Sequence, residues 1–140
     1  MKVVIALLLG LCLSALPARA SLTQQSNKYE VAGIDDAAVA EKFFRNLQEA
    51  VAKDDRAKVA SMISYPITVM IGGRKVKLRR RADLLRRYNF VVNRKVRRAV
   101  AKQKAEDLFV NWQGVMIGDG EIWFNQLYGT KLIKVIAINN

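Results

Sequence analysis

The segment SYPITVMIGGRKVKLRRRADLLRRY, residues 64–88, changes its hydrophobic period twice. Ile67, Val69 and Ile71 alternate with Thr68 and Met70, which is the period-two pattern of a half-buried strand. Gly72-Gly73 follows, and both positions can take positive φ, so a two-residue hairpin turn is expected there. The return run alternates in the same way, with Val76 and Leu78 on one side and Lys75, Lys77 and Arg79 on the other. From Ala82 the period becomes helical, with Leu84, Leu85 and Tyr88 on one face. A hairpin feeding directly into a helix excludes an all-helical bundle and an all-strand sandwich.

Reading outward toward the N-terminus, Pro66 ends a short helix whose inner face carries Val59, Met62 and Ile63. A longer helix precedes it, capped by Asp35 or Asp36 and running to about Lys53. Its apolar stripe is read as Val39, Phe43, Leu47, Ala50 and Val51. Residues 21–34 are polar and aperiodic, a flexible lead-in. Reading toward the C-terminus, Asn93 caps another helix. At 100° per residue, Val92, Val96, Ala99, Val100 and Gln103 fall within an arc of roughly 100°. The rest of the chain is strand-rich, with candidates at Leu108–Gln113, Glu121–Tyr128 and Leu132–Ile138. The order is two helices, a hairpin, a helix pair and three antiparallel strands, which is an α+β domain spanning residues 35–140.

The chain opens MKVVIALLLGLCLSALPARA, a basic start, an apolar run and an Ala-Arg-Ala end. This is the three-part pattern of a secretory signal, expected to be removed after Ala20. Cys12 lies inside the apolar run behind Leu11, which does not suit a lipoprotein signal. The processed chain is then expected in the periplasm or outside the cell, without a membrane span. Cys12 is the only cysteine of the sequence and there is no histidine. Zinc sites built on Cys and His and nucleophile–histidine mechanisms are therefore excluded, and no cofactor or metal is expected.

The chain carries NLQEAVAKDDRAKVASMISYPITV, the Gly-Gly hairpin, ADLLRRY, QGVMIGDGEIWF and the final LIKVIAIN. In these stretches it resembles the nuclear transport factor two-like superfamily, whose fold is a curved antiparallel sheet wrapped round helices into a cone. The resemblance implies a shape rather than an activity, because the superfamily hosts enzymes, ligand binders and scaffolds. It also implies homodimerisation through the open sheet face. The enzymes of the superfamily use an Asp-His or Tyr-Asp pair inside the cone, and this chain has no histidine to match.

Three groups of residues are candidates for function. Residues 72–104 hold fourteen Lys or Arg against one acid, Asp83. That asymmetry draws anions at low salt. Arg79, Arg80, Arg81, Arg86, Arg87, Arg94, Arg97 and Arg98 are the expected contributors to an anion-binding face, beside the plain reading of a solvated basic surface. An anionic polymer, lipid head groups or an acidic protein are the partners this face suits. Nucleic acid ranks behind them, since no nucleic-acid-binding signature is present. The second group, Asp119 and Glu121, supplies too few oxygens for a hard cation and reads as a turn tip between Gly118 and Gly120. The third is aromatic. Tyr65, Asn111, Trp112 and Trp123 would line a pocket if the cone were open. The expected function is a non-enzymatic binding or accessory domain. A small-molecule binder or enzyme using the cone cavity, and an immunity-type protein-recognition module, are the alternatives.

Overall fold

A computed structural model describes residues 26–140. The signal expected at residues 1–20 and the first part of the lead-in lie outside these described residues. A short 3-10 turn, Glu30–Ala32, precedes the first helix. Helix α1, Ala37–Ala52, starts at Asp36, whose carboxylate accepts the N–H groups of Ala38 and Val39. Asp55 caps α2, Arg56–Ser61, in the same way through Lys58 N at 2.9 Å. Then come β1, Ile67–Ile71, and β2, Arg74–Leu78. Three short helices follow: α3, Arg81–Arg86, α4, Tyr88–Val91, and α5, Arg94–Lys102. The chain finishes with β3, Phe109–Asn111, β4, Gly114–Ile117, β5, Ile122–Gln126, and β6, Ile133–Ile138.

The class is α+β. Strands β1 and β2 form an antiparallel hairpin in which Ile71 faces Arg74, so Gly72-Gly73 is the two-residue turn read from the sequence, with φ of 58° and 74°. Strands β3 to β6 form a second antiparallel sheet in the order β3-β4-β5-β6. The two sheets meet where β1 lies beside β6. Residues 62–64 bond to Val135 there, Val135 N donating to Met62 O at 2.9 Å and Ser64 N to Val135 O at 2.8 Å. Asn140 closes the corner. Its side chain accepts Met70 N at 3.0 Å and donates to Met70 O and Phe90 O.

Alternation along the second sheet decides its inner face. Val115, Phe124 and Val135 are buried in one row, and Phe43 of α1 stacks on Phe124 with ring centroids 5.1 Å apart. On the other face Phe109, Met116 and Trp123 stand opposite one another across β3, β4 and β5.

Five details differ from the sequence reading. The end of the lead-in is part of the core and not a flexible segment, with Tyr29 and Ile34 each 1% exposed and the Glu30–Ala32 turn against β3 and β4. The buried stripe of α1 is Ala40, Phe44, Leu47, Ala50 and Val51, while Val39 is exposed and Phe43 sits at the margin. Residues 39–40 and 43–44 are adjacent apolar pairs, so either neighbour fits the spacing until a partner surface selects one. Helix α2 stops at Ser61, five residues before Pro66. The helix after β2 breaks at Arg87, whose N–H bonds Leu84 O and whose φ is −121°, so Leu85 ends exposed although Leu84 and Tyr88 are buried. The last third holds four strands, not three. Strand β4 is added by a tight turn at Trp112-Gln113, where Asn111 Oδ1 accepts Gln113 N at 2.8 Å. Gly114 then has φ 141°, and a Cβ there would lie 2.7 Å from Phe124 O.

Candidate functional site

Helix α5 presents two chemically opposite faces. Val96 and Val100 are buried with Val92, which precedes the Asn93 cap. Asn93 Oδ1 accepts Val96 N at 3.1 Å, satisfying a free N-terminal donor. At the other end Gln48 of α1 donates to Val100 O and Gln103 O, both at 2.8 Å, which anchors the last carbonyls. With the helix held at both ends, Arg94, Lys95, Arg98 and Lys102 are fixed as an outward strip. Successive members of the 94-98-102 row rise about 6 Å along the axis.

That strip is one wall of a surface groove of about 740 Å³, continued by Lys104. The turn between β4 and β5 and Asp107 line the same groove. Gly118 and Gly120 have φ of 68° and 108°, and Asp119 sits between them. Gly118 N donates to Gln103 Oε1 at 2.8 Å, which ties the turn to the end of α5. Glu121 Oε2 accepts Asp119 N at 2.7 Å. Glu121 is only 8% exposed, the one buried charged residue among those described. Its Oε1 makes no hydrogen bond among the described residues, and its nearest cation is Lys95 Nζ at 3.8 Å. The groove thus sets five cations against three carboxylates, Asp107, Asp119 and Glu121.

The eight arginines named from the sequence do not form one surface. Arg94 and Arg98 line the groove. Arg97, on the same helix, turns the other way. Its Nε donates to Val92 O at 2.9 Å and its guanidinium to Asp54 Oδ1 at 2.9 Å. Arg56 grips the other oxygen of Asp54 with two N–H groups at 3.0 Å. Both guanidiniums lie over the Tyr88 ring, 5.0 Å and 5.4 Å from its centroid. These hydrogen bonds, from Arg97 first and Arg56 second, hold the Asp54 carboxyl below its ordinary range. Burial raises the Tyr88 hydroxyl, against the pull of Arg97. Arg79, Arg80 and Arg81 lie at the β2–α3 corner, and Arg86 and Arg87 at the far end of α3. Asp83 accepts Arg79 N at 2.8 Å and Arg80 N at 3.2 Å and pairs with Arg86. Those contacts, the Arg79 N–H foremost, lower its carboxyl.

The aromatic candidates lie apart. Tyr65 donates its hydroxyl to Ala60 O at 3.1 Å, and burial pushes it up to about 12. Asn111 and Trp112 form the β3–β4 turn, with Trp112 76% exposed at the tip. Trp123 is half-buried on the outer face of the sheet. None of the four lines the groove. The residues that sequence reasoning passed over are Lys95, Lys102, Lys104, Asp107 and Gln103. Lys95 and Lys102 were legible as the polar remainder of the α5 wheel. Asp107, beyond the helix, carried no signal of what it would face.

Among the described residues no cluster of three or more His, Cys, Asp or Glu could hold a metal ion, and no helix is long and apolar enough to cross a membrane. No protein-family model, curated protein or solved structure matches this chain.

Proposed function

We propose that this protein is an exported, non-enzymatic binding domain that takes an anionic component of the cell envelope on the outer face of α5. The observation that carries the reading is the groove itself. Four cations of one rigid, doubly anchored helix line a concave surface; among the described residues Arg94, Arg98 and Lys102 pair with no carboxylate, while Lys95 lies 3.8 Å from Glu121 Oε1. Five cations against three carboxylates leave the groove with a net positive charge, and a cleft with an excess of one sign raises the local density of counter-charged ligand. A cone of the nuclear transport factor two-like kind is the fold we favour, because the β1–β2 hairpin lies beside β6 and α1 packs against Phe124 on the inner face of the sheet. That inner face is filled by Val115, Phe124 and Val135, which favours a site on the surface over one inside the cone.

The test is binding of the purified protein to lipopolysaccharide, a sulfated polysaccharide, and single- and double-stranded nucleic acid across a salt series. We expect lipopolysaccharide binding to survive ~150 mM salt, where exposed charges are largely screened. It should fall at least tenfold in Arg94→Glu/Arg98→Glu and hold in Arg80→Glu/Arg81→Glu. Equal loss in the two double variants, or binding to every polyanion that vanishes with salt, would return the basic residues to a solvated surface.

A further inference from the structure

We infer that the α5 groove is selective for a zwitterionic phosphate, a phosphate ester that carries a primary ammonium a few bonds away, as in phosphoethanolamine. The inference rests on the anion-binding reading above and adds a second requirement to it. A groove built only to hold a polyanion would gain nothing from acids in its wall. Here Asp107, Asp119 and Glu121 line the same space as the cationic strip of α5. Like charges juxtaposed across an interface repel, so a ligand of uniform negative charge meets attraction from the strip and repulsion from the acids.

Glu121 is the residue that makes the acidic wall a built feature. The residue is 8% exposed, yet its Oε1 is not enclosed and still opens to solvent. One oxygen is answered by Asp119 N. The other, Oε1, has no hydrogen-bond donor among the described residues, and the Lys95 ammonium at 3.8 Å lies beyond hydrogen-bond reach. Oε1 is therefore an acceptor held in the wall by the turn, with capacity left for a donor from a ligand. The position is fixed sterically as well. A Cβ on Gly118 would lie 2.3 Å from Glu121 Oε2 and 2.8 Å from the Ala99 Cβ, so turn, carboxylate and helix are packed into one unit. A primary ammonium offers three N–H donors and a positive charge to Glu121 and Asp119. Its phosphate then falls to Arg98 and its helical neighbours Arg94 and Lys102, where a guanidinium can bind two oxygens at once. The groove has no aromatic among its lining residues, which removes the stacking platform a nucleobase would use.

The experiment is calorimetric titration of the protein with O-phosphoethanolamine, glycerol 3-phosphate, which keeps the phosphate and lacks the ammonium, and phosphocholine, which keeps the charge and lacks N–H donors. We expect phosphoethanolamine to bind at least tenfold tighter than glycerol 3-phosphate, with phosphocholine weaker than phosphoethanolamine. Asp107 and Asp119 are exposed, so Asp107→Asn/Asp119→Asn keeps the fold; it should bring the ratio near one while glycerol 3-phosphate binds at least as well as before. Glu121→Gln should also narrow the ratio. Arg98→Glu should weaken all three ligands. Equal affinity for phosphoethanolamine and glycerol 3-phosphate, with loss of both in Arg98→Glu, overturns the zwitterion inference and leaves the anion site standing. Absence of binding, or binding that Arg98→Glu does not change, overturns both. Vesicles of phosphatidylglycerol with and without phosphatidylethanolamine identify the source. Retention that needs phosphatidylethanolamine and is lost in the double Asn variant assigns a lipid head group. Selective binding of the soluble ester alone assigns a free metabolite.

Discussion

Asp54 is the one non-glycine residue among those described with positive φ, at 51°. Asp and Asn tolerate this left-handed conformation better than most residues do. The position pays off in contacts, because it aims the carboxylate at Arg56 and at Arg97, 43 residues away. The sequence places the end of the first helix at about Lys53, just before Asp54, and the structure ends it at Ala52 with Lys53 as its cap. No sequence reading shows the bond to Arg97, since nothing local distinguishes that arginine from its neighbours. The Asp54 carboxyl is held below its ordinary value of 3.8 in the folded state. A depressed folded pKa contributes stability that is present above the unfolded value and lost as pH falls through the folded one. Thermal melts should therefore show a drop in Tm on acidification below about pH 4. In Asp54→Asn that drop should be smaller, with Tm already lower at pH 7. A variant as acid-sensitive as the parent would remove Asp54 from the account. Gly118 makes a second residue-scale case. Gly118→Ala combines an unfavourable φ of 68° with the close approach to Glu121 and Ala99. It should cost about 1–3 kcal/mol in urea unfolding and weaken ligand binding in the groove.

At the scale of the element, the features that read correctly have local causes. The Gly72-Gly73 turn, the Asp36 and Asn93 caps and the two-faced α5 each depend on residues within a turn or two of one another. The features that misread depend on a distant partner. Helix α1 offers Val39-Ala40 and Phe43-Phe44 as alternatives, and only the surface it packs on decides that Phe44 goes in while Phe43 meets Phe124 at the edge. Strand β4 was hidden because its turn, Trp112-Gln113, lacks the Asn-Gly or Gly-Gly signal and uses the Asn111 side chain instead. The groove follows the same rule. Its cationic wall was legible as the polar side of one helix, whereas its acidic wall depends on where β4 and β5 carry their connecting turn. Packing gives a direct check on which aromatics hold the sheet. Phe124→Ala should destabilise by about 3–5 kcal/mol, as expected for a buried aromatic. Trp112→Ala at the exposed turn tip should stay within about 0.5 kcal/mol of the parent. Chemical denaturation of both variants decides it, and comparable losses would mean the turn tip is covered in solution.

Over the whole molecule, charge is the dominant irregularity. The sequence carries a net charge of +12, and net charge of one sign weakens the compact state through self-repulsion. Tm should rise from low ionic strength to ~150 mM salt, over which the Debye length shrinks to about 8 Å. The rise should be smaller in Arg80→Glu/Arg81→Glu, which lowers the charge by four. A Tm that falls with added salt would mean that attractive pairs outweigh the repulsion. The hydrogen bonds of Asn140 have a different consequence. A strand margin with free amide and carbonyl groups is a template on which a foreign strand can grow. At Met70 both groups are occupied by one carboxamide, which copies the donor and acceptor of a neighbouring strand without being one. The residue acts as a stopper that ends the pattern, and a chain with Ala in its place would offer Met70 to the next molecule that passed.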